Sequence, residues 1–184
     1  VENGKADYVI VSSEEATDDF LSSVDLQLVG NTEYKIQYCA VFRKDNQVLK
    51  ASFNQAISKL KQTGAFDEIN SAYSAGENYE PENYSLENEK ITVLCCPVFD
   101  NLLFMDEKGN LAGKELDFIG EICNELSLEA QISVVKEYDE MFVALEQGAG
   151  DVIISAVEYT PELEDDYLLS DVYNQTTFGV YKRK

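Results

Sequence analysis

The residues best suited to bind a ligand follow one short apolar run, Val152 to Ile154. Asp151 precedes this run and Ser155 to Glu158 follow it, a pattern typical of a buried parallel strand with polar residues at its carboxyl end. Open α/β sheets bind ligands at that edge. Further along the chain, Pro161 after Thr160 predicts a helix with Thr160 as its N-cap, whose free backbone N–H groups attract anions. These features predict a binding site.

The composition of the chain argues against several functional classes. With 184 residues and 45% hydrophobic content, the chain can bury a core in one domain or two small lobes. Its net charge of -21 repels nucleic acids and anionic membranes, so we expect neither as a partner. The sequence has no histidine, which removes the commonest general base and the commonest metal ligand. We therefore expect no enzymatic activity, no metal and no cofactor.

Four cysteines, Cys39, Cys95, Cys96 and Cys123, lack the C-x-x-C spacing of zinc and redox sites. We interpret them as small buried hydrophobic residues, with a disulfide as the alternative. Cysteine usage alone does not fix the compartment.

Alternating strands and helices flank the apolar run. Gln47 to Gln62 carries apolar residues on one face of a helix, and short connections between successive elements predict parallel strands with right-handed crossovers. We predict an α/β fold, a lobe with a mostly parallel sheet flanked by helices. The predicted strands are 8–11, 26–29, 36–44, 90–95, 131–135 and 152–156. The predicted helices are 14–23, 47–62, 66–73, 114–126 and one that Asp139 caps.

The stretch from Asp151 to Leu163, D-V-I-I-S-A-V-E-Y-T-P-E-L, resembles a run of the type II solute-binding proteins that deliver amino acids to ABC importers. In that family the run is D-[AV]-I-I-[AS]-[GS]-[ML]-[ST]-x-T-x-x-R. Two positions differ. The family's arginine, which clamps the ligand carboxylate, is Leu163 here, and its small hydroxyl residue is Glu158. The resemblance implies a solute-binding lobe with a degenerate amino-acid clamp.

A second stretch, Val93 to Asp117, resembles the amino-terminal end of the first lobe in the same family. The family's early aspartate is Cys96 here, while Phe99 keeps the aromatic residue that stacks on ligands, with a core role as the alternative. Ser12 stands where the second lobe of the family has the aspartate that takes the ligand's amino group. The ligand-binding residues that the resemblance implies are Phe99, Cys96, Ser155, Ala156, Val157, Glu158, Leu163 and Ser12.

The segments of the family occur here in an unusual order. Residues 1–30 resemble a remnant of the second lobe, 31–76 the return strand and closing helices that pack on the first lobe, 77–89 a linker, and 90–184 the first lobe. Strands near 36–43 and 177–182 are expected to pair as hinge strands. A junction between tandem modules, a circular permutation and a one-lobe protein all fit this order. We favour the junction, because the linker is polar and both sets of site residues are degenerate.

The resemblance implies an extracytoplasmic module, at the cell surface or in the periplasm, that binds a small polar solute for a transporter receptor or a membrane sensor. Its expected partners are a membrane permease or a sensor protein, and any membrane association would come through parts outside this chain. If Glu158 lies beside the ligand it repels anions, and the expected ligand is neutral or carries an amine; the alternative is that Glu158 points to solvent next to Glu162. The alternative is an interaction or structural module whose pocket has decayed. Strand 8–11 is also expected to lack the sheet that the rest of a second lobe would supply, and its exposed apolar edge predicts a dimer or a strand exchange through residues 1–30.

Overall fold

The computed structural model describes residues 6–77, 79, 89–97 and 102–184. Its strands are β1 Tyr8–Ser12, β2 Leu26–Tyr38, β3 Val41–Phe42, β4 Glu89–Cys95, β5 Phe104–Met105, β6 Leu111–Ala112, β7 Leu128–Val134, β8 Val152–Ile153, β9 Leu168–Leu169 and β10 Asn174–Arg183. Its helices are α1 Asp18–Ser23, α2 Gln47–Thr63, α3 Ala65–Ser74, α4 Lys114–Glu125, α5 Tyr138–Glu146 and α6 Leu163–Asp166. Phe99 and most of the predicted linker 77–89 lie outside the described residues.

The central sheet has the strand order β7-β4-β8-β3-β9. The first three strands are parallel, with Val93 opposite Val152, whereas β3 runs antiparallel to both of its neighbours. Val41 of β3 lies opposite Ile153 on one side and Leu169 on the other. The predicted α/β class is therefore confirmed, and a strand from the amino-terminal half completes a sheet built by the carboxyl-terminal half.

Two apolar layers cover this sheet. On one face, helices α2, α3 and α4 form the larger cluster, in which the Phe42 and Phe53 rings lie 5.1 Å apart, as do the Phe66 and Phe118 rings. The buried positions of α2 (Phe53, Ala56, Ile57 and Leu60) follow the helical spacing that the sequence indicates. On the other face, Met141 and Leu145 of α5 fill the smaller cluster. The expected packing of the helix near 48–61 on the sheet is confirmed.

Gly113 fixes the point at which α4 begins. Its φ is 116°, and a Cβ atom there would lie 2.3 Å from the carbonyl oxygen of Leu102. Only glycine fits a backbone with this φ and so close a neighbour. The turn brings the next two residues, Lys114 and Glu115, into the interior although both are charged types.

A second, three-stranded antiparallel sheet has the order β1-β10-β2. Val11, Leu26 and Tyr181 form its small core together with side chains of α1 and its flanks. Strands β2 and β10 are the long connections between the two sheets, since Tyr38 lies opposite Asn174 where both strands meet the central sheet.

The expected hinge strands near 36–43 and 177–182 lie on strands that pair, β2 and β10, but the two segments do not face each other: residues 36–38 lie opposite 174–176, and 177–182 lie opposite residues of 27–35. Residues 26–38 pair with β10, whereas Val41 and Phe42 leave it and join the central sheet. The strand expected to end at Val29 runs on through Gly30, because a register shift between Val180 and Tyr181 absorbs the extra residue.

Three other local predictions are wrong. The helix expected over 14–23 begins at Asp18, because the side chain of Thr17 accepts a hydrogen bond from Phe20 N and caps it there. Helix α5 begins at Tyr138 with Glu137 in the N-cap position, so Asp139 lies in the first turn instead. Strand β1, expected to lack a sheet, pairs along its length with β10.

Replacing Phe53 by Ala tests the packing of α2 on the central sheet. Phe53 is fully buried against Phe42, so we expect the free energy of unfolding to fall by about 3–5 kcal/mol. Val48→Ala is the matched control in the same helix, because Val48 is 80% exposed and its loss should change little. Urea unfolding of the three proteins measures this, and equal costs for the two substitutions would contradict the packing.

Candidate functional site

The carboxyl ends of β4 and β8 meet at one edge of the central sheet, as the sequence predicts for the candidate site. Cys96 N donates to Ser155 Oγ at 3.0 Å, and Ser155 Oγ donates back to the Cys96 carbonyl at 3.1 Å. Both residues are fully buried. The Ser155 hydroxyl therefore joins the two strand ends, and it has both of its principal hydrogen bonds inside the protein.

Ala156 and Val157 continue this edge as a loop with an unusual backbone. Ala156 has a φ of 46°, in the left-handed region that residues other than glycine rarely adopt. Its N–H donates to Glu115 Oε2 at 3.0 Å, and the Val157 carbonyl accepts from Cys39 N at 3.0 Å. The loop conformation is thus fixed by two hydrogen bonds, one to the carboxyl group of Glu115 and one from Cys39, which lies just before β3.

Glu115 is the buried carboxyl group of the candidate site that the sequence analysis missed. It has no exposed surface, and its Oε2 accepts from the Tyr173 hydroxyl at 2.7 Å as well as from Ala156 N. Among the described residues, none hydrogen-bonds to Oε1. The signal in the sequence is an acidic residue two positions after Gly113, on the same helical face as Phe118, Ile119 and Ile122.

Burial raises the pKa of Glu115 to about 7, and the negative charge of Glu14 adds to this, while the Tyr173 and Ala156 hydrogen bonds and the positive charge of Lys114 act the other way. Burial and the Glu115 carboxylate together raise the pKa of Tyr173 well above its usual range, so its hydroxyl stays protonated and able to donate. The site therefore contains a carboxyl group that changes charge near neutral pH.

Glu158 and Leu163 occupy the predicted clamp positions without forming a clamp. Glu158 is exposed and forms an isolated bridge with Tyr38, next to the hydrogen bond from Tyr159 N to the Gln37 carbonyl. Leu163 packs against the apolar cluster beneath α5. A side chain in that position contributes to the core and offers no hydrogen bond to a solute.

The predicted helix with Thr160 as its N-cap is wrong. The helix begins at Leu163 and has four residues, and the Thr160 carbonyl accepts from Leu163 N at 3.2 Å in a preceding turn. A run of acidic residues, Glu164 to Asp166, fills its only turn. The anion site expected at this helix terminus therefore has no helix long enough to provide it.

Ser12 lies apart from the residues of the strand edge, at the end of β1 in the three-stranded sheet. Its hydroxyl donates to Glu15 Oε2 at 3.2 Å and accepts from Glu15 N at 3.3 Å, so it closes a local turn. The structure thus brings together Cys96, Ser155, Ala156 and Val157 and leaves Ser12 on the other sheet. Phe99 is outside the described residues.

All four cysteines are buried and free, in agreement with the interpretation as small hydrophobic residues and not with a disulfide. Burial raises the pKa of Cys39 and of Cys123 to about 12, so these thiols stay neutral at physiological pH. In the described part of the chain, no group of side chains is arranged to hold a metal ion, and no helix is both long and apolar enough to span a membrane.

The family model of bacterial extracellular solute-binding proteins, family 3, matches residues 91–184, which is just over half of the chain. The chain belongs to this family. Membership supports a solute-binding role. No curated protein sequence matches the chain.

Several solved structures are similar to parts or all of the chain. The probable amino-acid ABC transporter extracellular-binding protein ytmK from Bacillus subtilis is 29% identical over 45% of this chain and 35% of its own, with a TM-score of 0.40. The arginine-bound form of domain 1 from TmArgBP is 27% identical over 52% of this chain and 80% of its own, with a TM-score of 0.43. The chain thus spans about a third of the length of the ytmK protein.

One similarity extends over almost the whole chain. The phosphate-binding protein of a phosphate ABC transporter from Streptococcus pneumoniae TIGR4 has a TM-score of 0.53 and 12% identity over 96% of this chain and 66% of its own. It shows that the overall arrangement is that of a periplasmic-binding-protein fold.

Replacing Glu115 by Gln tests the buried carboxyl group. Because the folded-state pKa of Glu115 is about 7, above its usual 4.5, the folded state binds the proton more tightly than the unfolded chain. This contribution to stability is complete below pH 4.5 and is lost as pH rises through 7. Glu115→Gln keeps the acceptor for Ala156 N and removes the ionisation. We expect wild type to lose on the order of 3 kcal/mol relative to the variant by about pH 8.

Urea unfolding at a series of pH values measures this difference. Glu140→Gln is the control, since Glu140 is an exposed carboxylate on α5 and its neutralisation should leave the pH profile close to that of wild type. If the free energy of unfolding of wild type and of Glu115→Gln varied with pH in parallel, Glu115 would have the same pKa in the folded and unfolded states, which would contradict the prediction.

Proposed function

We propose that the chain is a ligand-binding module of an extracytoplasmic receptor, serving either an ABC importer or a membrane sensor. The observation that carries this proposal is the loop at Ser155 to Val157, which follows the carboxyl ends of parallel strands and whose unusual backbone is fixed by Glu115. The loop itself is buried, so in this proposal it supports the exposed residues that follow it, Glu158 and Tyr159, at a constant geometry beside a solute.

Hinge closure is the mechanism that the architecture favours. The long strands β2 and β10 connect the central sheet to the three-stranded sheet, so bending in this pair would move one sheet toward the other. A solute bound at the sheet edge would then be enclosed between them. In this proposal residues 1–30 and 90–184 act as parts of opposing lobes, and 31–76 completes the lobe to which 90–184 belongs.

The ligand that this site would select is neutral or carries an amine. Leu163 is packed in the apolar cluster where the family has an arginine, so a carboxylate loses its bidentate partner. The exposed carboxylate of Glu158 beside the loop disfavours anions further. Degenerate clamp residues at both lobes support the interpretation of the chain as a junction between tandem modules.

Titration calorimetry tests the ligand class. In a chain that includes a complete second lobe, glutamine and a polyamine should bind more tightly than glutamate, because Glu158 repels the additional carboxylate. The double substitution Leu163→Arg and Glu158→Ser should create affinity for ordinary amino acids. Glu162→Ser is the control, as it removes a neighbouring acidic residue and leaves the clamp position unchanged. Micromolar binding of glutamate to the wild-type protein would contradict this selectivity.

A second candidate function is that of an interaction module that pairs with another copy of the chain. The observation that favours it is an apolar surface on β1, an edge strand of the three-stranded sheet, where Tyr8 is 60% and Ile10 is 61% exposed. Exposed edges with apolar side chains pair readily with other strands. Such pairing would give the dimer expected through residues 1–30.

Light scattering at high protein concentration tests this pairing. Wild type should form a dimer, and Ile10→Lys should return it to a monomer, because a charge on the edge strand opposes strand pairing. Val48→Lys places the same charge on an exposed position of α2 and should leave the dimer intact. A wild-type protein that stays monomeric at high concentration excludes this candidate.

A further inference from the structure

A cavity of about 430 Å³ lies between the two sheets, beside the segment where β10 begins. We call it the hinge cavity and define it by six of its lining residues, Ser13, Glu14, Asn70, Lys114, Asn174 and Gln175. Its size falls within the roughly 300–1,000 Å³ of small-molecule sites. The described residues that line this cavity are different from Cys96, Ser155 to Glu158 and Leu163. Among the described residues, it therefore shares no proposed ligand-contacting residue with the site above, although Tyr173, the partner of Glu115, also lines it.

A buried ion pair forms one wall of the hinge cavity. Lys114 is only 5% exposed, and its Nζ lies 2.5 Å from Glu14 Oε2 and donates to Asn70 Oδ1 at 3.0 Å. Glu14 Oε1 accepts from the hydroxyl of Thr176 at 3.0 Å. Because the cation and the anion are joined and further hydrogen-bonded, this wall carries no net charge.

The charges of the remaining ionisable residues that line the cavity also cancel. Lys61 and Asp67 both line it, and the Lys61 ammonium donates to the Val172 carbonyl. The other polar lining groups are hydroxyls and amides, which donate and accept hydrogen bonds without a formal charge. A charged ligand would meet a like charge on one side or the other, whereas a neutral, hydrogen-bonding ligand would not.

Asn174 supplies an independent indication of a ligand. It lines the cavity, is only 5% exposed, and its Oδ1 accepts from Asn70 Nδ2 at 3.4 Å. Its Nδ2 donates to no acceptor among the described residues. Buried amide groups are nearly always hydrogen-bonded, so this donor calls for an acceptor oxygen.

We propose that the hinge cavity is a second binding site, for a neutral polyhydroxylated solute of about the size of a monosaccharide. A hydroxyl oxygen of the solute accepts from Asn174 Nδ2, and its other hydroxyls bond to the amide and hydroxyl groups of the lining. Ser13 and Glu14 follow β1 of the three-stranded sheet, whereas Asn70 and Lys114 belong to α3 and α4, which pack on the central sheet, so an occupied cavity bridges these two parts of the protein at the hinge.

The test is a nuclear magnetic resonance titration of the ¹⁵N-labelled chain with D-glucose, myo-inositol, glutamate and putrescine. At least one of the two neutral probes should shift the side-chain amide signals of Asn70 and Asn174 in a saturable manner. Glutamate and putrescine should leave these signals unchanged.

Two variants make the assignment specific. Asn174→Leu removes the donor with little change in volume, and Ser74→Trp fills the cavity from its exposed rim, so each should weaken binding at least about tenfold. Asn31→Leu, at an exposed position of β2, should bind like wild type. If Asn174→Leu does not fold, Ser74→Trp alone decides.

The proposal is overturned if neither neutral probe shifts the two amide signals, if glutamate or putrescine shifts them instead, or if binding survives the folded variants. Loss of amino-acid or amine binding through Leu163 and Glu158 has no bearing on this result, because those residues are outside the cavity.

Discussion

The carboxyl group of Glu115 is the interaction on which the rest of the structure depends. It lies at the start of α4 and accepts hydrogen bonds from Ala156 N in the loop after β8 and from Tyr173 just before β10. Three segments that are distant in the chain therefore meet at one buried group. Burying a carboxyl group costs free energy unless it is hydrogen-bonded. The carboxyl group and its two donors therefore fix one another's positions.

Lys114, the neighbour of Glu115, extends this connection to the second sheet. Gly113 allows the tight approach to Leu102 that starts α4, and the two charged residues that follow point to different partners. Glu115 holds the sheet edge, while Lys114 pairs with Glu14 in the turn after β1. The start of one helix thus positions both the loop at the candidate site and the segment that closes the hinge cavity.

The sequence predicts the parts of this structure that depend on local patterns. The apolar spacing of α2 and the run at Val152 are short-range signals: α2 forms where it is expected, and the predicted strand 152–156 forms at Val152–Ile153, where it ends early. The long path of β2 through Gly30 could not be predicted, because its partner β10 lies more than a hundred residues away and only that pairing places Gly30 opposite Val180 with Val29 as the extra residue. The short helix at Leu163 was misplaced because Thr160 and Pro161 fit a helix start and a turn equally well.

The sequence likewise predicts only part of the candidate site. Ser155 and Cys96 are found together because the carboxyl ends of parallel strands meet at one edge, which the sequence implies. The burial of Cys96 agrees with its interpretation as a small hydrophobic residue, whereas the burial of Ser155 does not follow from the sequence, because it depends on contacts with residues distant in the chain. The role of Glu115 depends on contacts across 41 and 58 residues of chain, and no local pattern reports such contacts.

The pH dependence of the Ala156 amide proton measures the central interaction most directly. Its chemical shift in ¹⁵N-labelled protein reports the charge of the carboxyl group that it contacts. If Glu115 holds the loop as described, the signal follows a single transition with a midpoint near 7, which disappears in Glu115→Gln. A signal with no transition between about pH 5 and 9, or with one that persists in the variant, would contradict the account.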